Sequence, residues 1–224
     1  MIPPLTLAQI CADVYTPAPT GFDHVWDYAG CHAAHKKVGD VDVIVYRGSL
    51  DTMDWMLDAA AIPLWDPRLG FVHGGFMAGV NDTFIAASLV CGPKVVVTGH
   101  SLGGARARLH AGLLAHYGTP ALQVCVFGSP KPGFAGLARI LQKSGTLLQS
   151  FRNCEDPVSL VAMLLPWWVH PDPWIALNEH SAPGDLEPLR DHHMLRYQGG
   201  LTTLDALKRG ATEADIAAGA NTGP

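Results

Sequence analysis

The chain has 224 residues, of which 48% are hydrophobic and 16% charged, with a mean hydropathy of +0.16. That balance excludes an intrinsically disordered chain, which needs low hydrophobicity and high charge, and a coiled coil, which needs a charged outer face. Lys+Arg 15 against Asp+Glu 20 leaves a net charge of -5 with no basic tract, which argues against a nucleic-acid partner.

Read in chain order, Thr6 to Val14 carries apolar residues at helical spacing (Leu7, Ile10, Cys11, Val14), with Thr6 as a candidate cap. The stretch that follows, to Lys37, reads as irregular and aromatic. Four β-like runs come next: Val41–Tyr46, Lys94–Thr98, Leu122–Phe127 and Leu147–Arg152. The second is continuously apolar, as a strand buried on both faces should be. Helical patterns lie between them, around Asp51–Ala61, Gly75–Leu89, Leu102–His116 and Gly136–Gln142. Strands alternating with helices imply an α/β fold, with a mostly parallel central sheet and helices on both faces. Right-handed crossovers then bring the strand ends to one rim, where such sheets carry their sites.

The length fits one domain, expected over residues 1–218, with 219–224 as a flexible C-terminal tail. The start has no positive residue and no long apolar run, so it does not read as a signal peptide. The greasiest stretch, Leu160–Val169, contains Pro166 and is about half the length of a bilayer span, so no transmembrane segment is expected. The expectation is a cytoplasmic protein, or one exported by another route. The 5 cysteines are widely spaced with no CxxC pair, so neither a zinc ribbon nor a disulfide framework is read; Cys91 and Cys125 are expected as small core residues, and a reducing compartment is favoured.

Gly99-His100-Ser101-Leu102-Gly103 follows the buried run and opens a helical one. A G-x-S-x-G turn between strand and helix is the context of a nucleophile elbow. The tight turn strains the central residue and brings backbones together, so only small residues fit two positions away on either side. Ser101 is thereby raised above the sheet, and the helix N-terminus behind it favours negative charge on an attacked oxygen.

The elbow, continued by Gly104-Ala105, resembles that of the class 3 (fungal-type) lipases, a family of the α/β-hydrolase superfamily. Five further blocks agree in order. Tyr46-Arg47-Gly48-Ser49 resembles F-R-G-S/T, Asp54-Trp55 with Asp58 resembles D/N-W-x-x-D, and Val72-His73-Gly74-Gly75-Phe76 resembles V-H-x-G-F. Phe127-Gly128-Ser129-Pro130 resembles F-G-S-P, and Asn153 with Asp156-Pro157 resembles N-x-x-D-P. Lys131-Pro132-Gly133 departs from the family's R-x-G-N, and Pro166–Glu187 aligns to nothing.

A serine hydroxyl needs a base, and the base an orienting carboxylate; α/β-hydrolases supply them in the order Ser, Asp, His. Asp156 follows the fourth strand and is also the acid that the resemblance selects, with Glu155 and Asp172 as alternatives. The base must follow it: His170, His180, His192 or His193. Asp191-His192-His193-Met194 with Tyr197 resembles the family's D-H-x-M-x-x-Y ending, whose first histidine is the base, so His192 is preferred and His193 is the alternative base. Adjacent histidines rarely converge on one ion, and no metal and no cofactor are expected. His73 and His100 read as structural. The oxyanion-hole donors are expected at the N–H of Leu102, next to the nucleophile, and at Ser49, the family's Ser/Thr position, which also suits a helix cap.

Met53, Met56, Leu57 and Ala60 form an apolar stripe with Trp55 nearly opposite. The family places a lid here, so Met53, Trp55 and Met56 are candidates for a lid, and Trp167 and Trp168 for a lid or acyl pocket. The resemblance implies a serine carboxylic-ester hydrolase, a lipase or esterase working through an acyl-enzyme. The alternatives are a phospholipase or acyltransferase on the same triad, or a catalytically inactive hydrolase-fold binding module. The partner expected is a small-molecule or lipid ester, with transient lipid-interface contact.

Overall fold

The structure is a computed structural model describing residues 1–16, 19–49, 62–153, 156–160, 167–177 and 192–209. The ordered elements are α1 (Pro4–Asp13), β1 (His24–Tyr28), β2 (Cys31–Val38), β3 (Val41–Tyr46), β4 (Pro63–Asp66), β5 (Gly70–His73), α2 (Gly74–Met77), α3 (Val80–Ser88), β6 (Val95–His100), α4 (Leu102–His116), β7 (Gln123–Phe127), α5 (Ala135–Lys143), β8 (Leu147–Asn153), a 3₁₀ turn (Val158–Leu160), β9 (Trp174–Leu177) and α6 (Met194–Lys208). Seven strands form one sheet in the order β1-β2-β3-β6-β7-β8-β9, and β4 and β5 form a separate hairpin. From β3 to β9 every pairing is parallel; β1 and β2 extend the edge antiparallel.

Residue alternation explains the apolar runs. Ile44, Tyr46, Val95, Val97, Val124 and Val126 join one core cluster, against Phe76, Val80, Leu109, Leu113 and Leu137 from α2 to α5. Val43, Val45, Val96, Cys125 and Phe127 point the other way, into a second cluster with Leu7 and Ile10 of α1 and Met194, Tyr197 and Leu201 of α6. With period-2 side chains and helices on both faces, both registers must be apolar.

Several expectations need correction. The stretch before Lys37 is not irregular: β1 and β2 form a hairpin, turned by Ala29 (φ 50) and Gly30 (φ 73), both in the left-handed region. Histidines, lysines and alanines hid this edge, whose order comes from pairing with β3 rather than from β-branched side chains. The helix expected over Gly75–Leu89 is broken into α2 and α3 at Gly79 (φ 73), where a Cβ would lie 2.0 Å from the Tyr28 carbonyl oxygen. Thr6 is not a cap: α1 begins at Pro4, with Pro3 at the cap position and no capping side chain. β9 and α6 had no sequence signal. Cys125 is buried in β7, whereas Cys91 is only half-buried. The lid candidates Met53, Trp55 and Met56, Glu155, His180 and the boundary at 218 lie outside the described residues. Among the described residues, no helix is long and apolar enough to cross a membrane.

Candidate active site

The ends of β3, β6, β7 and β8 share one rim, because these strands pair in parallel. Ser101 sits at the end of β6 with φ 57 and ψ -134, a left-handed conformation rare for a residue with a side chain. Its N–H donates to the Phe127 carbonyl oxygen (2.9 Å), and its own carbonyl accepts from Gly104 N–H (2.9 Å). The flanking glycines are forced: a Cβ on Gly99 would lie 2.3 Å from the Gly103 carbonyl oxygen, and one on Gly103 would lie 2.1 Å from that of Tyr46. The Ser101 hydroxyl makes no cap bond to its helix.

Asp156, the acid expected from the sequence, lies three residues beyond the end of β8. Asp156 is fully buried, and its Oδ1 accepts from Val158 N–H (2.9 Å). Its Oδ2 receives His192 Nδ1 at 2.8 Å and the Tyr197 hydroxyl. Tyr197, on α6, accepts in turn from Asn153 N–H (3.3 Å). Burial, with the Asp156 charge beside it, holds the Tyr197 phenol well above its ordinary pKa, so it remains a donor. A carboxylate oxygen only accepts, so His192 donates from Nδ1, and Nε2 is turned away from Asp156. Gly128 (φ 54), at the end of β7, makes room: a Cβ there would lie 2.5 Å from Asp156 Oδ2 and 2.9 Å from His192 Nδ1.

Ser101 Oγ and His192 Nε2 are both buried, and neither has a hydrogen-bond partner among the described residues. The structure therefore joins Asp156 to His192 but does not close the bond from His192 to Ser101. Catalytic hydrogen bonds in ligand-free sites are often long and tighten once substrate binds.

Of the other sequence candidates, His193 is exposed at the N-cap position of α6 and makes no capping bond, while His192 holds the bond to Asp156. Asp172 pairs with the buried Arg108 (3.2 Å), and His170 lies between Arg108 (3.0 Å) and the Ser159 carbonyl (3.1 Å); both belong to a network that ties the 167–177 segment to α4. Leu102 is the first residue of α4, where the helix leaves its N–H without an intrahelical acceptor. Ser49 follows β3, next to Gly48, where a Cβ would lie 2.9 Å from Ser101 Cβ. Trp168 is 1% exposed and packs between His73 (ring centroids 5.5 Å) and Phe134 (4.9 Å), while Trp167 is 52% exposed. His73 caps α2 by accepting from Phe76 N–H and stacks on the Phe76 ring.

One connection had no sequence signal. Tyr15, following α1, accepts from Gly48 N–H (3.1 Å) and meets His100 Nδ1 at 2.9 Å, and His100 Nε2 reaches the His192 carbonyl oxygen. Burial, then the neighbouring His192, holds His100 well below the ordinary histidine pKa, so it is neutral.

A model of the family described as Lipase (class 3) matches residues 43–165. The chain belongs to the class 3 lipase family. It is 32% identical over 166 residues to the secreted mono- and diacylglycerol lipase A of Penicillium cyclopium, covering 67% of this chain and 53% of that protein. It is 28% identical over 210 residues to the chloroplastic/mitochondrial phospholipase A1 EG1 of Oryza sativa subsp. indica, covering 78% of this chain and 45% of that one. The chain thus spans about half the length of the curated relatives it matches. Among solved structures, the Rhizomucor miehei lipase in complex with its propeptide (a deletion mutant) superposes with a TM-score of 0.66 at 22% identity, covering 77% of this chain and 65% of that one. This member of the class 3 lipase family therefore has the α/β-hydrolase fold.

Proposed function

We propose that this class 3 lipase chain hydrolyses carboxylic esters through an acyl-enzyme on Ser101. The observation that carries the reading is the Asp156–His192 bond (2.8 Å), which leaves His192 Nε2 buried and without a hydrogen-bond partner among the described residues. Ser101 Oγ attacks the carbonyl carbon and its proton passes to His192 Nε2. The oxyanion is held by Leu102 N–H and Ser49, each such donor contributing about 3 kcal/mol. The tetrahedral adduct expels the alcohol, which takes the proton from His192. Water then enters by the same route and releases the acid. Asp156 accepts from His192 Nδ1–H and so fixes the tautomer and orientation of the ring.

The substrate proposed is an acyl ester of a lipid. The names of the relatives, a mono- and diacylglycerol lipase and a phospholipase A1, point to acyl chains on glycerol. Ile62, Leu64, Trp65 and Phe71 on and beside the β4–β5 hairpin are exposed apolar side chains, which suit a substrate presented at a lipid surface. The rice relative supports a second reading, in which the ester is a phospholipid.

The test is labelling by a fluorophosphonate, followed by turnover of p-nitrophenyl esters from acetate to palmitate, a diacylglycerol and a phosphatidylcholine. Label on Ser101, and loss of about 10⁴-fold or more in turnover on Ser101→Ala or Asp156→Asn, are expected. Label on any other residue, or no turnover across the panel by folded protein, refutes the reading.

A further inference from the structure

Three side chains far from Ser101, two from the paired strands β2 and β3 and one from beyond α3, converge at the opposite rim of the sheet. His35 is on β2, Asp42 on β3 and Cys91 just after α3; one ring nitrogen, one carboxylate oxygen and the sulfur all lie within 4.8 Å of one another. We propose that His35, Asp42 and Cys91 bind one zinc-class divalent cation, with solvent as the fourth ligand.

The donor set decides the class of ion. Imidazole nitrogen, thiolate and a single carboxylate are the ligands of Zn²⁺, whereas Mg²⁺ and Ca²⁺ take oxygen shells. One aspartate and one thiolate balance a dication, and the Cys91 thiol proton leaves to solvent on binding. With bonds of about 2.0–2.3 Å, tetrahedral ligand atoms stand roughly 3.3–3.8 Å apart, so the trio closes on an ion with movements of about an ångström.

The surroundings fit the same role. Asp42 Oδ2 accepts from Gly92 N–H (2.9 Å), the kind of outer hydrogen bond that orients a metal-bound carboxylate. His35 Nε2 meets Asp42 Oδ1 at 2.9 Å, but His35 Nδ1 is buried without a hydrogen-bond partner among the described residues. A plain His–Asp pair leaves the thiol beside it without a role. Entry is open: Cys91 and Gly92 line a cavity of about 390 Å³ that reaches the surface beside Tyr117. The competing cation is Lys37, whose Nζ is 3.9 Å from Asp42 Oδ1 on a side chain 60% exposed, free to swing into water. Asp42 pairs with Val95 where β3 and β6 begin, a strand's length from the rim of Ser101. Such an ion would cross-link β2, β3 and the α3–β6 connection and play no part in ester chemistry.

The experiment titrates the whole purified chain, stripped of metal, with Co²⁺ and then Zn²⁺. The expected result is one equivalent of Co²⁺ giving a thiolate charge-transfer band in the near ultraviolet, displaced by Zn²⁺, and a rise in Tm with Zn²⁺. Cys91→Ser should abolish the band and the Tm shift, and Asp42→Asn should weaken binding at least tenfold. Cys91 is only half-buried, so its serine variant decides the matter even if Asp42→Asn does not fold. Absence of a band and of a Zn²⁺-dependent Tm shift in the wild type overturns the proposal. So does a band that survives Cys91→Ser, which would place the metal on another of the 5 cysteines.

Discussion

His100 Nε2 lies 2.6 Å from the carbonyl oxygen of His192. The residue before the elbow serine therefore holds the main chain of the residue that carries the proposed base. A carbonyl only accepts, so the proton is on His100 Nε2, and Nδ1 must accept from the Tyr15 hydroxyl. Tyr15 in turn accepts from Gly48 N–H, next to Ser49. One continuous chain of hydrogen bonds thus joins the proposed oxyanion loop to the backbone of the proposed base, by way of the residues following α1.

Tyr15→Phe removes one hydroxyl from that chain and leaves Gly48 N–H and His100 Nδ1 without their partner. A stability loss of about 1–3 kcal/mol is expected, the cost of unsatisfied buried groups. If the chain positions the base, kcat falls about tenfold with KM little changed. Urea unfolding and steady-state kinetics on one ester check both halves. A kcat equal to wild type would sink the positioning role, whatever the stability.

Ser101 is held at φ 57 with a buried hydroxyl that has no hydrogen-bond partner among the described residues. Backbone strain of this kind costs about 1–3 kcal/mol. Ser101→Gly relieves it without breaking a hydrogen bond, so the variant should be inactive yet more stable by about 1 kcal/mol, after the entropy that glycine loses on folding. Ser101→Ala keeps the strained backbone and should leave stability nearly unchanged. A Ser101→Gly protein clearly less stable than wild type in urea would contradict this account.

Two glycines should respond differently to alanine. At Gly103 a Cβ would meet the Tyr46 carbonyl oxygen at 2.1 Å, and that backbone cannot yield without moving β3. At Gly118 (φ 76) nothing lies within 4 Å, so only the left-handed backbone resists. Gly103→Ala is expected to cost more than about 3 kcal/mol or prevent folding, and Gly118→Ala about 1 kcal/mol. Thermal melts of the two variants side by side are the measurement.

Burial lowers His73 to about 4 and, as the largest cause, lowers His110 and His170 to about 3. These histidines are neutral when folded but take up a proton near 6.5 when unfolded. Below that pH the unfolded chain binds more protons, so stability is fully present above about 6.5 and is lost as pH falls towards 4 and 3. Each histidine contributes up to about 1.4 kcal/mol per pH unit in that window. Urea midpoints should hold level from pH 7.5 to about 6.5 and fall from there to pH 5. A flat profile over that range would show that these histidines do not govern acid stability.

What the sequence determined is local and chemical. The run Val95-Val96-Val97-Thr98 must be buried on both sides, and the glycines around Ser101 permit only a tight strand-to-helix turn, so the central strands, α4 and the raised serine were legible from residue types alone. What tertiary structure decided is which distant groups meet. Neighbours in sequence, His192 and His193 differ only in which way the chain turns before α6: one reaches Asp156, the other faces water. The strand β9 and the bond from Tyr15 to His100 follow from pairing and packing between segments tens of residues apart. No window of sequence holds that information, because hydrogen bonds across a fold are chosen by how the apolar faces pack, and the polar groups then bond to whatever that packing sets beside them.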